Sequence, residues 1–352
     1  MANVSLVVPD LEHRGHAKQV SLMAPALRKA GHTVGVYALN ATGPFADVIR
    51  ASGVAVEHSR ARDMRNWLLL RWLIPRPDAG LVHAFGLKVL RRLWAAMLGK
   101  KRPRIVLSLT GRERLTRFDN RCLRVVSRVL VPHAAAADAL ARQGVPSAMV
   151  TVVPQAVAEA PPSPDRDEFC RTHGLPRNAR LIMTAGRMEM RATLFPAIWA
   201  FEFYRYMDRT VRLLVLGDGP GREDTEAMAQ KVAPEGSRVH FLGALPDASS
   251  IFGLADVVLI SQKTGGVNVA LEAMAAGCAM VAAHTPDLAA VVCSGVTGFL
   301  TPVGDAPAMA HALRRLLDSP DRDQLGGAAR QFARDNHPVS AVVQTLETIY
   351  GD

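Results

Sequence analysis

The chain has 352 residues, of which 49% are hydrophobic, 21% charged and 5% aromatic, and this globular composition excludes disordered, collagen-like and coiled-coil proteins. The length predicts two domains, because one domain usually takes about 100–200 residues. The sequence has no run of the ~18 apolar residues that a spanning helix needs, and its opening, MANVSLVVPD, lacks the pattern of a signal peptide. We therefore expect a cytoplasmic protein that can also lie at the inner face of the membrane.

Charge is distributed unevenly along the chain, whose formal net charge is +10. Residues 1–155 hold 24 Lys and Arg against 9 Asp and Glu, whereas the remainder holds 18 against 23. Within the first part, residues 58–128 hold 18 basic and 4 acidic side chains. This density predicts an anionic partner, for which nucleic acid, phospholipid headgroups and a phosphorylated substrate are all candidates.

The cysteines are far apart and form neither a C-x-x-C pair nor a Cys/His cluster. This spacing predicts neither a disulfide framework nor a zinc site. We expect four buried free thiols, at Cys122, Cys170, Cys278 and Cys293.

The N-terminal half alternates strand and helix patterns. A β-branched run at 3–9 is followed by a loop and by a helical pattern that ends at Gly31, and the alternation then continues. Strand, loop and helix in this order predict βαβ units and a doubly wound parallel sheet. Further strands are predicted at 32–39, 54–58, 81–85, 104–111, 128–133 and 149–157.

A turn-forming cluster, APPSPDRDEF, surrounds Pro161–Pro164 at the point where the charge changes sign, and we expect the interdomain linker there. Beyond it the alternation restarts and predicts a second doubly wound domain of similar size. The stretch GVTGFLTPVGD at 295–305 reads as turns. Strands are predicted at 181–186, 211–219, 238–243, 256–261 and 278–283, and helices at 193–207, 249–254, 267–276 and from 306 onward.

Parallel sheets of this kind bind ligands at the carboxyl ends of their strands, so the residues that follow strands are candidates for a site. Gly15 precedes a helix N-terminus, where either an anion site or an ordinary turn is expected. Arg187 follows an apolar strand, and Arg191 comes four residues later. Their guanidinium groups suit a diphosphate, the alternative being two solvated arginines. The loop LGDGPG lacks the full G-x-G-x-x-G spacing and is predicted to be a turn.

The segment Lys263–Asp305 carries the strongest signal in the chain. Gly265 and Gly266 open a helix directly after the apolar strand DVVLIS, and a helix N-terminus favours phosphate. Glu272 lies in that helix among small and apolar neighbours, which fits an ordinary exposed glutamate poorly. Its carboxylate is suited to accept hydrogen bonds from the paired hydroxyls of a ribose.

This segment resembles the nucleotide-sugar site of GT-B fold glycosyltransferases of family GT4, whose pattern is E-G-x-x-x-x-x-x-E-A-M-A-x-G-x-P-V-V-A, ending in G-x-x-G-x-L-x-x-x-x-D. The matching stretches here are NVALEAMAAG and GVTGFLTPVGD, with weaker matches in GRMEMR, LLVLGDGP, VHFLGAL, ADVVLIS and VTVVPQAV. The resemblance covers essentially the whole chain and implies the GT-B fold, an α/β architecture of two Rossmann-like doubly wound domains that face an interdomain cleft. We expect an N-terminal acceptor-side domain at 1–158, a nucleotide-sugar-binding domain at 165–336, and a C-terminal helix at about 337–352 that packs back on the first.

The resemblance also implies roles for individual residues. Glu272 would bind the donor ribose and Arg187 the diphosphate, while Thr110 would lie near the reacting sugar. It implies no metal and no cofactor, because the nucleotide-diphosphate sugar is a substrate. The other donor-binding positions that it implies are Gly15, Arg191, Gly243, Leu245, Thr264, Gly265, Gly266, Val267 and Asn268.

The sequence departs from the family pattern at four positions. Thr264 replaces the first Glu of the paired-Glu motif, Ala192 replaces the phosphate-binding Lys, Thr110–Gly111 replaces a His-Gly or His-Asp pair, and Gln155 replaces an Asn. A hydroxyl cannot supply the charge stabilisation of a carboxylate. A catalytically degenerate protein that binds nucleotide-sugar, or that partners an active enzyme, is therefore the alternative.

The resemblance implies a retaining glycosyltransferase, and the basic segment 58–128 indicates an anionic or lipid-linked acceptor. In this segment Trp67 and Trp72 lie among arginines, and a basic helix pattern follows them. Alternatively its leucines belong to the core and its arginines are solvated. Nucleic-acid binding ranks last because stacking aromatics are few. A sugar-nucleotide epimerase shares the fold, but segment 263–305 is more similar to GT4.

Overall fold

The computed structural model describes residues 2–12, 15–40, 42–58, 80–97, 103–188, 194–233, 238–245 and 248–351. The chain forms two compact units, one of Met1–Ala156 with Val339–Asp352 and one of Val157–Pro338. We call them unit 1 and unit 2. Across the described ranges, every helix is too short or too polar to span a bilayer.

Unit 1 is built on a seven-stranded sheet in the order β3-β2-β1-β4-β5-β6-β7, with all neighbours parallel. The order reverses between β1 and β4, which is the doubly wound arrangement that the alternating pattern predicts. Its strands are β1 (Asn3–Val8), β2 (Thr33–Ala38), β3 (Ala55–His58), β4 (Leu81–Phe85), β5 (Arg104–Ser108), β6 (Arg128–Val131) and β7 (Val150–Val152).

Helices cover both faces of this sheet, which is why its inner strands are mostly apolar and are buried on both sides rather than on alternate residues. Along β1, for example, Leu6 joins the core on one face and Val7 the core on the other, and each is at most 1% exposed. The helices of unit 1 are α1 (Gly15–Lys29), α2 (Pro44–Ala51), α3 (Leu87–Ala96), α4 (Arg117–Leu123) and α5 (Ala134–Ala141), with a 3₁₀ turn at Ser147–Met149.

Unit 2 has a six-stranded parallel sheet in the order β10-β9-β8-β11-β12-β13, again with helices on both faces. The reversal lies between β8 and β11. Its strands are β8 (Arg180–Ala185), β9 (Val211–Leu216), β10 (Val239–Gly243), β11 (Val257–Ile260), β12 (Met280–Ala283) and β13 (Phe299–Thr301). Its helices are α6 (Arg166–Thr172), α7 (Phe195–Arg205), α8 (Arg222–Val232), α9 (Ala248–Phe252), α10 (Val267–Ala275), α11 (Pro286–Ala289), α12 (Ala306–Leu317) and α13 (Arg322–Asn336).

The last helix, α14 (Val339–Gly351), belongs to unit 1. It buries Val343 and Leu346 in the core that also contains α1 and β1. Arg104, at the start of β5, donates a hydrogen bond of 2.9 Å to the carbonyl oxygen of Tyr350. Apolar packing and this bond together fix the end of the chain on the sheet.

A buried polar cluster also holds α14 in place. The Tyr350 hydroxyl lies 2.7 Å from Nδ1 of His83 in β4, and the Ser108 hydroxyl lies 2.7 Å from Nε2. A neutral imidazole donates through one nitrogen and accepts through the other, so both contacts are satisfied. Burial lowers the pKa of His83 to about 3 and raises that of Tyr350. Both side chains are therefore neutral at pH 7.

Two sequence expectations are corrected by the structure. The stretch 295–305, read as turns, contains edge strand β13, whose three residues are too few to show a period. Cys293 is exposed, whereas the other three thiols are buried as expected. In α3, Leu93 and Ala96 are buried in the core, as the alternative interpretation of the basic segment expects for its leucines.

Acidification should destabilise the protein through His83. The unfolded ring titrates near pH 6.5 and the folded one near 3, so between these values the unfolded chain binds one more proton. The free energy of unfolding should therefore fall by about 1.4 kcal/mol for each pH unit below 6.5, as measured by urea unfolding. A His83→Asn variant should lose this part of the pH dependence, and an equally steep decline in that variant would refute the assignment.

Candidate functional site

The order of the strands places the candidate site at one edge of the unit 2 sheet. β8 pairs with β9 on one side and with β11 on the other, with Thr184 opposite Leu259. Connections on the two sides of such a reversal turn away from each other and leave a crevice at the carboxyl ends of the strands. Arg187 follows β8 and residues 264–268 follow β11. The structure thus brings these predicted positions together.

The loop LGDGPG after β9 packs against the backbone of this edge. Gly217 and Gly219 have φ of +119° and +156°, and a Cβ atom at either would lie within 2.5 Å of the carbonyl oxygen of Gly186 or Met188. Met188 N–H donates to Asp218, and its carbonyl accepts from Gly221. The glycines are thus required by close backbone packing, in agreement with the predicted strand-to-helix turn.

Gln262 lies between the two loops of the crevice and was not predicted from the sequence. Its side chain is 4% exposed, and Nε2 donates to the carbonyl oxygen of Ala185. A Cβ atom on Gly186 would lie 2.6 Å from this Nε2, and one on Gly266 would lie 3.2 Å from Oε1. Oε1 has no hydrogen-bond partner among the described residues. The only signal in the sequence is a polar residue after an apolar strand.

The second loop of the crevice is a glycine turn that opens α10. Gly265 and Gly266 have φ of +80° and +83°, which other residues adopt only with strain, and Gly266 is the N-cap. Unpaired N–H groups and the helix dipole make such an N-terminus favourable for an anion. The first turn of α10 has no acidic residue to oppose this.

Glu272 lies in the same helix, and the side chain is half-buried. Its flanking residues Leu271 and Ala273 are completely buried. Helix α10 therefore carries both the anion-favouring turn and the carboxylate predicted for ribose. Thr264 is exposed just before the turn, whereas Val267 is buried and Asn268 is half-buried.

The remaining donor residues predicted in unit 2 lie farther from the point where the strand order reverses, or lie outside the described residues. Gly243 ends the edge strand β10, two strands from β8, and its carbonyl accepts from Gly217 N–H at 2.7 Å. Leu245 follows it and packs partly against the core. Arg191 and Ala192 are outside the described residues.

Two predicted residues belong to unit 1. Gly15 is the first residue of α1. Thr110 follows β5, is exposed, and donates from its backbone N–H (2.9 Å) and its hydroxyl (3.0 Å) to one oxygen of Glu113. The other oxygen, Oε2, is buried and has no hydrogen-bond partner among the described residues. Glu113 was not predicted, although it lies three residues beyond Thr110.

His133, after β6, is the N-cap of α5 and accepts from the N–H of Ala136 at 3.2 Å. Burial lowers its pKa, and the nearby charge of Arg112 lowers it further. Burial also lowers the pKa of Arg112, partly offset by Glu113. The carboxyl edge of unit 1 thus has a cationic guanidinium beside a neutral imidazole.

Two family models match the chain. The model for Glycosyltransferase Family 4 matches residues 13–160, and the model for Glycosyl transferases group 1 matches residues 179–319. One thus falls in the sequence of unit 1 and the other in that of unit 2.

Curated relatives match over part of their length. A D-inositol 3-phosphate glycosyltransferase from Corynebacterium diphtheriae is 33% identical over 192 residues, covering 52% of this chain and 44% of that protein. An N-acetyl-alpha-D-glucosaminyl L-malate synthase from Bacillus anthracis is 31% identical over 143 residues, covering 40% of this chain and 37% of that protein. The chain thus spans less than half the length of these two relatives.

Solved structures match over the full chain. HepE from Anabaena, in complex with UDP and glucose, has a TM-score of 0.85 at 19% identity and covers 100% of both chains. Sucrose-phosphate synthase from Thermosynechococcus elongatus has a TM-score of 0.77 at 19% identity, covering 99% of this chain and 98% of that one. These likenesses confirm the GT-B fold that the sequence predicts.

The two glycines of the turn offer an internal comparison. Gly265→Ala should cost about 1 kcal/mol of unfolding free energy, from the left-handed backbone alone, because no atom lies within 4 Å of its added Cβ. Gly266→Ala should cost more, because its Cβ would lie 2.9 Å from Ile260 Cγ2. Urea unfolding measures both. Equal losses would show that the site has room for a side chain at 266.

Proposed function

The chain belongs to glycosyltransferase family 4, as its motifs predict, and from this premise we propose that it transfers a sugar from a nucleotide-diphosphate donor to an acceptor hydroxyl. The observation that carries the proposal is that Arg187 follows β8 and the Gly265–Gly266 turn follows the neighbouring strand β11, at the reversal of the unit 2 sheet. A guanidinium and a helix N-terminus at one crevice are complementary to a diphosphate.

The same two groups account for rate enhancement. When the acceptor oxygen attacks the anomeric carbon, the bond to the diphosphate breaks and negative charge develops on the leaving phosphate. Fixed positive groups that face this charge stabilise the transition state more than the ground state. Arg187 and the N-terminus of α10 fill this role in the proposal, Arg191 adds to it, and no metal ion is required. Retention of the anomeric configuration is part of the proposal and rests on the family resemblance.

We assign the ribose of the donor to Glu272, because a carboxylate accepts hydrogen bonds from two adjacent hydroxyls. Its position in α10, a turn and a half beyond the glycine turn, suits a ligand whose diphosphate lies at the start of that helix. UDP is the first nucleotide to test, since the Anabaena structure contains it.

The acceptor is proposed to be anionic, and a lipid-linked acceptor fits. The support is the excess of basic residues in 58–128, of which 59–79 and 98–102 lie outside the described residues. In the described part, Arg91 is already engaged by Asp119 at 2.6 Å, and Asp119 has its pKa lowered to about 2, chiefly by that contact. Exposed cations such as Lys88 and Arg92 would make the acceptor contact.

A second candidate function is nucleotide-sugar binding without transfer. The observation that favours it is Thr264, an exposed hydroxyl in place of the first motif carboxylate. Loss of one charge-stabilising group lowers turnover by about 10²–10³ in other enzymes. Binding of the nucleotide depends on Arg187, Glu272 and the glycine turn, which this replacement leaves intact.

Calorimetric titration with UDP, GDP and ADP tests the proposal. Arg187→Ala and Glu272→Ala should each weaken binding of the preferred nucleotide by about 10- to 100-fold, because each removes a charge-assisted hydrogen bond. Glu168→Ala and Arg171→Ala are the matched controls, since these residues form an exposed pair on α6 of the same unit. The controls should bind as the wild type does.

Hydrolysis or transfer of the matching sugar donor separates the two functions. Tight binding with turnover supports the transferase, whereas tight binding without turnover supports the binding protein. A chain that binds none of the three nucleotides would refute the donor-site assignment.

A further inference from the structure

In helix α7 of unit 2, two charged residues are buried and several large aromatic residues are exposed, the reverse of the usual arrangement. Glu202 and Arg205 are each 6% exposed and form an ion pair with each other, while the inward-facing Phe201 joins the core. Large aromatic residues occupy the outer side instead. A helix that is apolar on its outer side as well is expected to have both sides covered.

The outer side is a continuous stripe. Trp199, Phe203, Tyr206 and Met207 recur at the spacing of one helix face and its extension, and they are 42%, 49%, 74% and 58% exposed. The rings of Trp199 and Phe203 are 6.1 Å apart. Clusters of this kind on a soluble surface mark an interaction site, whereas single exposed apolar residues do not. We call these four residues the aromatic stripe.

Cations border the aromatic stripe at its C-terminal end. Arg209 is exposed, and no carboxylate of the described residues lies within 4.0 Å of its guanidinium. Arg238 donates to the carbonyl oxygen of Arg205 at 3.3 Å, and Arg212 donates to that of Arg209 at 3.0 Å. The nearby Asp208 is already paired with Arg180 at 3.2 Å. The border of the stripe is therefore cationic.

We propose that the aromatic stripe is a docking surface for an anionic phospholipid bilayer. Trp and Tyr are favoured at the boundary between headgroups and acyl chains, and a border of arginines adds attraction to anionic headgroups. A second copy of this chain is the less suitable occupant, because it would bring an identical cationic border. The surface is independent of the donor site.

Vesicle flotation tests the proposal on the full chain. Vesicles of phosphatidylcholine with about 30% phosphatidylglycerol should bind the protein more tightly than phosphatidylcholine alone, and added salt should weaken the binding. The double variant Trp199→Ser, Phe203→Ser should bind about tenfold more weakly. Its control is Val296→Ser, Val303→Ser, two equally exposed residues of unit 2. Thermal unfolding should show that both variants are folded.

A second measurement locates the contact, because the basic residues of unit 1 are a separate source of vesicle binding. Brominated lipids quench tryptophans that enter the bilayer, and the chain has four tryptophans. The wild type should show a quenched component that Trp199→Phe lacks, while the variant keeps its affinity for vesicles. This isolates the contribution of the stripe.

Three outcomes would overturn the proposal. In one, the serine double variant binds vesicles as the wild type does. In another, bound protein shows the same quenching with and without Trp199, which places the contact elsewhere. In the third, sedimentation reveals a dimer that the double variant loses and flotation reveals no vesicle binding, which identifies a second copy as the occupant.

Discussion

In each unit the first strand of the sheet lies inside it, with parallel neighbours on both sides, and the position of every candidate residue depends on this constraint. Parallel neighbours need crossover connections, and crossovers on the two sides of the first strand must cover opposite faces. The loops after β8 and β11 are consequently the two that diverge, and the crevice between them is a product of chain topology. The segments that carry Arg187 and Gly266 follow neighbouring strands there, although they are far apart in the sequence.

The crevice is lined by closely packed backbone. Glycines at 186, 217, 219 and 266 allow loops to approach one another to distances at which a Cβ atom would collide, and Gln262 fills the remaining gap. The N–H groups of Gly186, Gly217 and Gly219 already donate hydrogen bonds within these loops, so the three glycines serve packing. In the proposed donor site, the N-terminus of α10 would therefore supply the backbone donors beside Arg187.

The sequence predicted most of the fold because periodicity and turn residues act locally. Buried strands such as LIMTA and VVLI are unmistakably apolar, and the strand and helix patterns correctly predicted that Arg187 follows a strand and that Glu272 lies in a helix. The sequence did not predict residues whose role depends on their neighbours in the folded protein. Gln262 has no pattern of its own, since its role depends on two glycines that other segments supply.

For a related reason, the sequence did not predict that the aromatic residues of α7 are exposed. In sequence, FPAIWAFEFYR is apolar on every side, and the expectation that charge faces solvent assigns Glu202 and Arg205 to the surface. In the structure these two residues are buried as an ion pair, whereas the aromatic residues of the same helix are exposed. A pairwise interaction of this kind cannot be read from hydrophobic periodicity.

Unit 2 is one continuous stretch, whereas unit 1 is made of two stretches that lie at opposite ends of the chain. On the ribosome, the sheet of unit 1 emerges before unit 2, yet the helix that covers its core with Val343 and Leu346 is synthesised after unit 2. That apolar surface stays open while all of unit 2 is made and folds. The nascent chain therefore exposes an apolar surface to which chaperones can bind until helix α14 has been made.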